Sequence, residues 1–309
     1  MKRILKTVAA ILILAAALFI LNFSNLTRVE PGSEPQGVFT FAFLADIHLQ
    51  PELEAGKGFR KAIDMVNQLK PDFVITGGDL IMDALETGYS RADSLYRMYG
   101  RFSAHFSMPV YNTIGNHDIL GWSGGSGIPP SHPLFGKGMY VKRLGRTFYS
   151  FDYGGWHFIV LDSVERGTDR GYTGRIDKQQ LEWIRKDLSM LKRDTPIAVS
   201  THIPLVSVIP QLREGPGKGI SPSEMVANSR EVLELFGGHD LRLVLQGHLH
   251  LIEEIKVGGT TYITAGAVSG KWWRGDRRGV EEGFALIRFD GREFDWEYID
   301  FGWEAVESN

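Results

Sequence analysis

A chain of 309 residues is long enough for one large or two ordinary domains with a well-buried core. Its 34 Lys+Arg against 37 Asp+Glu leave a net charge of −3, so no polyanion-binding surface is indicated and nucleic acid is not an expected partner. The absence of cysteine excludes disulfides, thiolate metal sites and a cysteine nucleophile.

The chain opens with Lys2, Arg3 and Lys6, followed by an uninterrupted apolar run over 8–21. Residues 1–26 therefore read as a signal anchor or a signal peptide, with an N-terminal apolar helix expected. Cutting after Ala17 would leave Leu18-Phe19-Ile20-Leu21 at the new terminus, and no clean small-x-small site closes the run, which favours an anchor. The basic flank stays inside in either case. The remainder is expected to be extracytoplasmic, held to the membrane by this single segment or secreted if it is cleaved. Residues 27–37, with Pro31, Gly32, Ser33 and Pro35, form a tether to a globular domain over 38–303.

Residues 38–45 (VFTFAFLA) predict a strand ending at Asp46. Phe59, Ile63, Val66 and Leu69 recur at helical spacing and predict a helix over 56–70. A second strand covers 72–76 and is closed by Gly77-Gly78-Asp79; a helix over 90–106 follows. A third strand over 109–114 runs into Gly115-Asn116-His117-Asp118. The alternation so far is that of a sheet covered by helices. Residues 121–138, rich in Gly, Pro and Ser, predict a long irregular loop. A hairpin over 147–162 turns at Gly154-Gly155, Asp177 starts a helix through Leu181, Ile184, Leu188 and Leu191, and a strand over 196–200 ends at Thr201-His202. The pattern then gives a helix over 221–236, a strand over 241–245 ending at Gly247-His248-Leu249-His250, and two hairpins turned by Gly258-Gly259 and Asp290-Gly291.

Five polar motifs thus fall at the ends of five apolar strands: Asp46-Ile47-His48, Gly78-Asp79, Gly115-Asn116-His117-Asp118, His202 and Gly247-His248-Leu249-His250. In open sheets ligands gather beyond the carboxyl ends of strands. Asp, His and Asn are ligand types suited to Mn, Fe or Zn. Each motif alone is commonplace; their conjunction, each after a strand, points to one metal site. His105, His157 and His239 sit in a helix, a hairpin and a turn and are not expected to be ligands, whereas His132 lies in the long loop and is a candidate for the mouth of the site.

The motifs D-x-H, G-D, G-N-H-D, H and G-H-x-H, over residues 39–250, resemble the ordered motifs of the calcineurin-like metallophosphoesterase superfamily. The resemblance implies an α/β fold of two mixed β-sheets in a sandwich flanked by helices, in place of a simple doubly wound sheet. It implies two divalent metal ions (Mn, Fe or Zn) as cofactors, with Asp46, His48 and His250 holding the first, Asn116, His202 and His248 the second, and Asp79 bridging both. His117 is then the acid beside the leaving group. Where many members place a second histidine after the fourth motif, this chain has Ile203, which puts the substrate rim in question and leaves the ligand set intact.

Two cations about 3.5–4 Å apart neutralise a phosphate ester and acidify a bridging water. Two carboxylates against four positive charges keep the site cationic, and an imidazole with a pKa near 6.5 suits proton transfer to a departing alkoxide. Asp118 either orients His117 or caps a helix. Trp272, Trp273 and Arg274 form a loop after the last motif that stacks a base or choline-like headgroup and holds a phosphate, or else packs the sandwich edge. The expected reaction is hydrolysis of a phosphate ester, a diester ahead of a monoester, on a small molecule or lipid headgroup. The alternative is a noncatalytic metal- or ligand-binding envelope protein on the same fold.

Overall fold

The computed structural model describes residues 37–168 and 171–306. The expected anchor or signal peptide over 1–26 and nearly all of the tether lie outside the described residues. Among the described residues no helix is long and apolar enough to cross a membrane.

Two large mixed sheets face each other. The first has the order β13-β12-β1-β2-β3, built from β1 (Val38–Leu44), β2 (Phe73–Thr76), β3 (Val110–Asn112), β12 (Gly283–Asp290) and β13 (Glu293–Asp300). The second has the order β10-β11-β9-β8-β5-β4, built from β4 (Tyr149–Tyr153), β5 (Trp156–Val160), β8 (Pro196–Thr201), β9 (Asp240–Gln246), β10 (Glu253–Val257) and β11 (Thr260–Thr264). β1, β2 and β3 run parallel, as do β5, β8, β9 and β11, while the hairpin partners are antiparallel. A short ribbon of β6 (Val164–Arg166) and β7 (Tyr172–Gly174) stands apart from both sheets.

The alternation along β1 explains why its sequence is apolar throughout. Phe39, Phe41 and Phe43 point into the layer between the sheets, where they meet Phe73, Phe158 and Phe289. Ala42 and Leu44 point the other way, under the helices, with Phe59, Ile63 and Val66. A strand buried on both faces reads as a continuous hydrophobic run. Ring geometry is consistent with tight packing: Phe41 stacks on Phe73 at 4.9 Å and meets Phe158 edge-on at 5.7 Å.

The helices are α1 (Ala55–Leu69), α2 (Tyr89–Ser103), α3 (Gly138–Leu144), α4 (Lys178–Ser189), α5 (Ile209–Glu214) and α6 (Ser229–Leu235). α1, α2 and α4 lie where apolar spacing placed them. The helix expected over 221–236 is shorter: only α6 is helical. The Asn228 amide is engaged with the backbone of Ile176, which it meets at 3.1 and 3.0 Å, and this pins the helix start well after Ser221. α3, α5 and the β6–β7 ribbon were not anticipated. The two-residue hairpin loops are as expected at Gly154-Gly155 and Gly258-Gly259, all four with positive φ. The last hairpin turns on Gly291-Arg292, one residue later than expected, since Asp290 still pairs with Glu293.

Candidate metal centre

The parallel strands deliver their carboxyl ends to one edge of the sandwich. Asp46 and His48 follow β1, Asp79 follows β2, Asn116 and His117 follow β3, His202 follows β8, and His248 and His250 follow β9. The turns are held by backbone bonds: Asp46 N–H donates to Gly78 O at 3.1 Å, and His48 N–H to Asp79 O at 2.9 Å. Close approach explains two glycines. A Cβ on Gly115 would lie 2.2 Å from the Asp79 amide nitrogen, and one on Gly78, at φ +88°, would lie 2.6 Å from the His202 ring. Asp46, His48, Asp79, His248 and His250 all have φ between 44° and 73°. Left-handed backbone costs a non-glycine residue roughly 1–2 kcal/mol each, so five such residues in one place mark a site whose geometry is imposed by its surroundings.

Three groups of side chains could each hold a cation: Asp46, His48 and His250; His48, Asp79 and His117; and Asp79, His202 and His248. Tautomers can be read from the outer nitrogens. His202 Nδ1 lies 2.8 Å from Gly77 O, His248 Nε2 lies 2.8 Å from Ser223 O, and His250 Nδ1 lies 2.7 Å from Gly270 O. A carbonyl only accepts, so each of these nitrogens carries the N–H and, in a neutral ring, turns the opposite lone pair inward. Inside, His202 Nε2 sits 3.1 Å from Asn116 Oδ1, 3.2 Å from His248 Nδ1 and 3.2 Å from Asp79 Oδ2. His250 Nε2 sits 3.1 Å from His48 Nε2 and 3.3 Å from Asp46 Oδ1. His48 Nε2 is 3.6 Å from Asp79 Oδ2. Acceptors thus face acceptors, and Asp46 Oδ1 is buried without a hydrogen-bond donor. One cation beside Asp46, His48 and His250 and another beside Asn116, His202 and His248, with Asp79 within reach of both, would satisfy them, so the residues fit a pair of divalent ions.

The electrostatics agree. Burial would raise the Asp79 carboxyl, but the charges of His202 and His117 outweigh it and hold the group well below the usual range. Burial and the neighbouring His202 pull His248 down to about 4. Burial would also lower His202, yet the Asp79 carboxylate holds it up at about 9. The pocket demands positive charge, and a proton on His202 answers that demand when no ion does.

His117 stands at the rim, 27% exposed, with Nε2 4.0 Å from Asp79 Oδ2. Its backbone N–H donates to Asp79 Oδ1 at 2.8 Å. Burial works against protonation, but Asp79 and then Asp83 hold the imidazole up at about 9. Asp83, which the sequence reading did not single out, lies 3.6 Å from His117 Nδ1. The segment is tied there by Ala84 N–H donating to His117 O at 2.7 Å. An acidic residue four places after Gly-Asp was the available signal. Asp118 turns the other way: its fully buried carboxylate accepts from Gly115 N at 2.8 Å, Leu80 N at 2.9 Å and Ile81 N at 3.3 Å. Asp118 therefore braces the two ligand-bearing turns, and Asp83 is the carboxylate beside His117.

The tryptophan pair divides. Trp273 is fully buried and its Nε1 donates to Ile47 O at 3.0 Å and His48 O at 3.1 Å, so it packs under the site and is closed to substrate. Trp272 is half-buried at the mouth, its ring 4.9 Å from His250 and 6.1 Å from His48. Arg274 is exposed. His132 is not brought to the cluster; it packs on Tyr89 at 5.0 Å and its Nδ1 accepts from Leu134 N–H. His157 is buried between Asp152 and Asp187, at 2.6 and 2.8 Å.

A sandwich of two mixed sheets that gathers Asp, His and Asn from five strand ends into a pocket for two ions defines a dinuclear metallohydrolase. The sequence profile of the calcineurin-like phosphoesterases matches residues 39–251, and the chain belongs to that family. It is a metal-dependent hydrolase of phosphoric esters. A protein of Rhodococcus erythropolis described as a probable cyclic nucleotide phosphodiesterase is 23% identical over 235 residues, 72% of this chain and 68% of that one. A transmembrane protein with a metallophosphoesterase domain from Danio rerio is 32% identical over 99 residues, 30% of this chain; the match spans 21% of that relative's length. Among solved structures, a dimetal phosphatase from Danio rerio superposes with a TM-score of 0.57 at 15% identity, covering 86% of this chain and all of that one. GAP50, the anchor in the inner membrane complex of Plasmodium, superposes with a TM-score of 0.53 at 16% identity, covering 86% and 85%. These likenesses carry the fold.

Proposed function

We propose that the chain is a phosphodiesterase acting outside the membrane that holds it, with His117 as the acid for the leaving group. The observation that carries the reading is the convergence of Asp46, His48, Asp79, Asn116, His202, His248 and His250, with the His117 imidazole at their rim.

Asp46, His48, Asp79 and His250 would hold one ion and Asp79, Asn116, His202 and His248 the other. Bound there, two divalent ions (Mn, Fe or Zn) supply neutralisation of the phosphoryl oxygens and acidification of water. The chain's own residues do the rest. Asp79 lies between the two ligand groups and fixes their separation. His117 faces the mouth, where a departing alkoxide needs a proton, and Asp83 beside its Nδ1 favours the protonated ring. Asp83 keeps that proton on His117 and has no place in the ligand set. The buried carbonyls of Gly77, Ser223 and Gly270 fix the histidine tautomers. A diester carries one negative charge and two oxygen substituents, and a half-open mouth with Trp272 on one side accommodates the second substituent. The probable phosphodiesterase of Rhodococcus erythropolis supports the same preference. The apolar run over 8–21 behind Lys2, Arg3 and Lys6 supports placement outside the membrane.

The test is hydrolysis of bis-p-nitrophenyl phosphate and p-nitrophenyl phosphate by the full-length chain in detergent, with Mn²⁺ or with EDTA. Metal-dependent turnover with the diester preferred is expected, and Asp79→Asn should lower it by at least about 10³-fold. Folded protein that binds two ions and turns over neither ester would instead favour a metal-binding envelope protein.

A further inference from the structure

The loop between β11 and β12 carries a group that neither the ligand set nor the proton donor uses. Trp273 pins this loop from below through its bonds to the carbonyls of Ile47 and His48. Lys271 N–H donates to Gly275 O at 2.8 Å, and Arg277 N–H to Val280 O at 2.8 Å, which closes the loop on itself. Trp272 is held at φ 52° with its ring against His250. On that ring lies Arg277, its guanidinium carbon 5.1 Å from the ring centroid. Arg277 is half-buried, and its Nε is buried with no hydrogen-bond partner. Among the described residues no carboxylate lies within ion-pair distance of Lys271, Arg274, Arg277 or Arg278. The single acid of the turn, Asp276, takes the Gly279 N–H at 2.5 Å. Burial, then the charges of Arg278 and of Arg213 on the opposite arm of the mouth, press against the charge of Arg277. Arg213 itself is paired with Glu224, next to the Ser223 carbonyl that holds His248.

A guanidinium held over an aromatic ring, partly desolvated and left without a counter-ion beside a phosphate-binding centre is arranged to receive an anion. Its ring contact is with Trp272, and no hydrogen bond or ion pair ties it to any of the seven ligands. We propose that Arg277, laid on Trp272, is a specificity residue that binds a second anionic group of the substrate, so that the preferred esters carry a phosphate or carboxylate besides the one hydrolysed. This rests on the phosphoesterase reading of the centre and deepens it to a substrate class. Trp272 acts as a positioning residue that holds the guanidinium.

The test compares two chromogenic diesters that differ by one remote phosphate: thymidine 5′-p-nitrophenyl phosphate and its 3′-phosphorylated form. The Mn²⁺-loaded full-length chain in detergent should show a KM at least about 10-fold lower for the 3′-phosphorylated ester. Arg277→Gln should bring the ratio of the two KM values close to one, and Trp272→Leu should lower it by a smaller factor. Arg230→Gln, at an exposed helix cation paired with Glu234, should keep it. A ratio near one in the unmodified chain, or a ratio that survives Arg277→Gln, overturns the proposal. If the unmodified chain hydrolyses neither ester, the phosphodiesterase reading fails separately. The affinity of thymidine 3′,5′-bisphosphate over thymidine 5′-monophosphate, by calorimetry on the same protein, then decides the role of Arg277: tenfold or more supports it and equality sinks it.

Discussion

His117 lies near two carboxylates with different surroundings. Asp79 is committed to the ion pocket, while Asp83, fixed by the N–H groups of Leu85 and Glu86, lies 3.6 Å from Nδ1 and favours a proton on the ring. A proton donor matters in proportion to how badly the leaving group needs the proton. His117→Ala should therefore cost roughly 10²–10³-fold in kcat on a diester with an alkyl leaving group. The loss should be far smaller on a p-nitrophenyl ester, whose phenolate departs unaided. Equal losses on both would assign His117 to binding. Asp83→Asn removes one of the charges that hold His117 up. A donor must be protonated to act, so the alkaline limb of the rate profile should move to lower pH in that variant, read from kcat/KM against pH on the alkyl ester.

At the scale of elements, β1, β2 and β8 were legible because they are buried on both faces. Such strands appear as unbroken apolar runs, and the glycine or polar residue that ends each run marks where the sheet edge begins. The loops were less legible, because distant partners set their form. Nothing in Trp272-Trp273 says which ring goes under β1 and which stays at the mouth; that is decided by the carbonyls of Ile47 and His48, more than 220 residues away. Asp118 was readable as a ligand-side residue but not as the brace of the Gly78-Asp79 turn, since its donors come from another strand end. The hairpin of β4 and β5 was plain in the sequence, while the setting of His157 on it was not. That imidazole joins Asp152 on β4 to Asp187 on α4, and Ser150 Oγ donates to the same Asp187. Burial opposes its charge, but the two carboxylates raise it from 6.5 to about 9. A raised folded-state value means the stabilisation is fully present below pH 6.5 and fades as pH rises through about 9. The span corresponds to roughly 3 kcal/mol. Urea unfolding at pH 6 and pH 9.5 should show a loss of that order, and His157→Gln should flatten it. An unchanged pH dependence in the variant would place the effect elsewhere.

For the whole molecule, we propose that the apolar segment over 8–21 sets where the hydrolase works. The chain's net charge of −3 gives it no general attraction to anionic lipid. We propose that membrane retention comes from the apolar segment. The full-length chain should stay with membranes through high-salt and carbonate washing, and deletion of residues 1–26 should release it. Release of the intact chain by carbonate would instead indicate cleavage and secretion.

The left-handed backbone at Asp46, His48, Asp79, His248 and His250 has a consequence for how this protein lives in its compartment. These residues are energetically misplaced in the empty fold, and their carboxylates and lone pairs repel one another as well. An ion that binds only the folded chain lends back stability by about 2.7 kcal/mol at a hundredfold excess over its Kd. Stripping with EDTA should lower Tm by several degrees, and Mn²⁺ should restore it; Asp79→Asn should show a smaller response. An identical Tm in both states would contradict this. The supply of divalent ions would then govern how much of the protein survives proteolysis as well as how fast it turns over, making the enzyme a gauge of its own mineral environment.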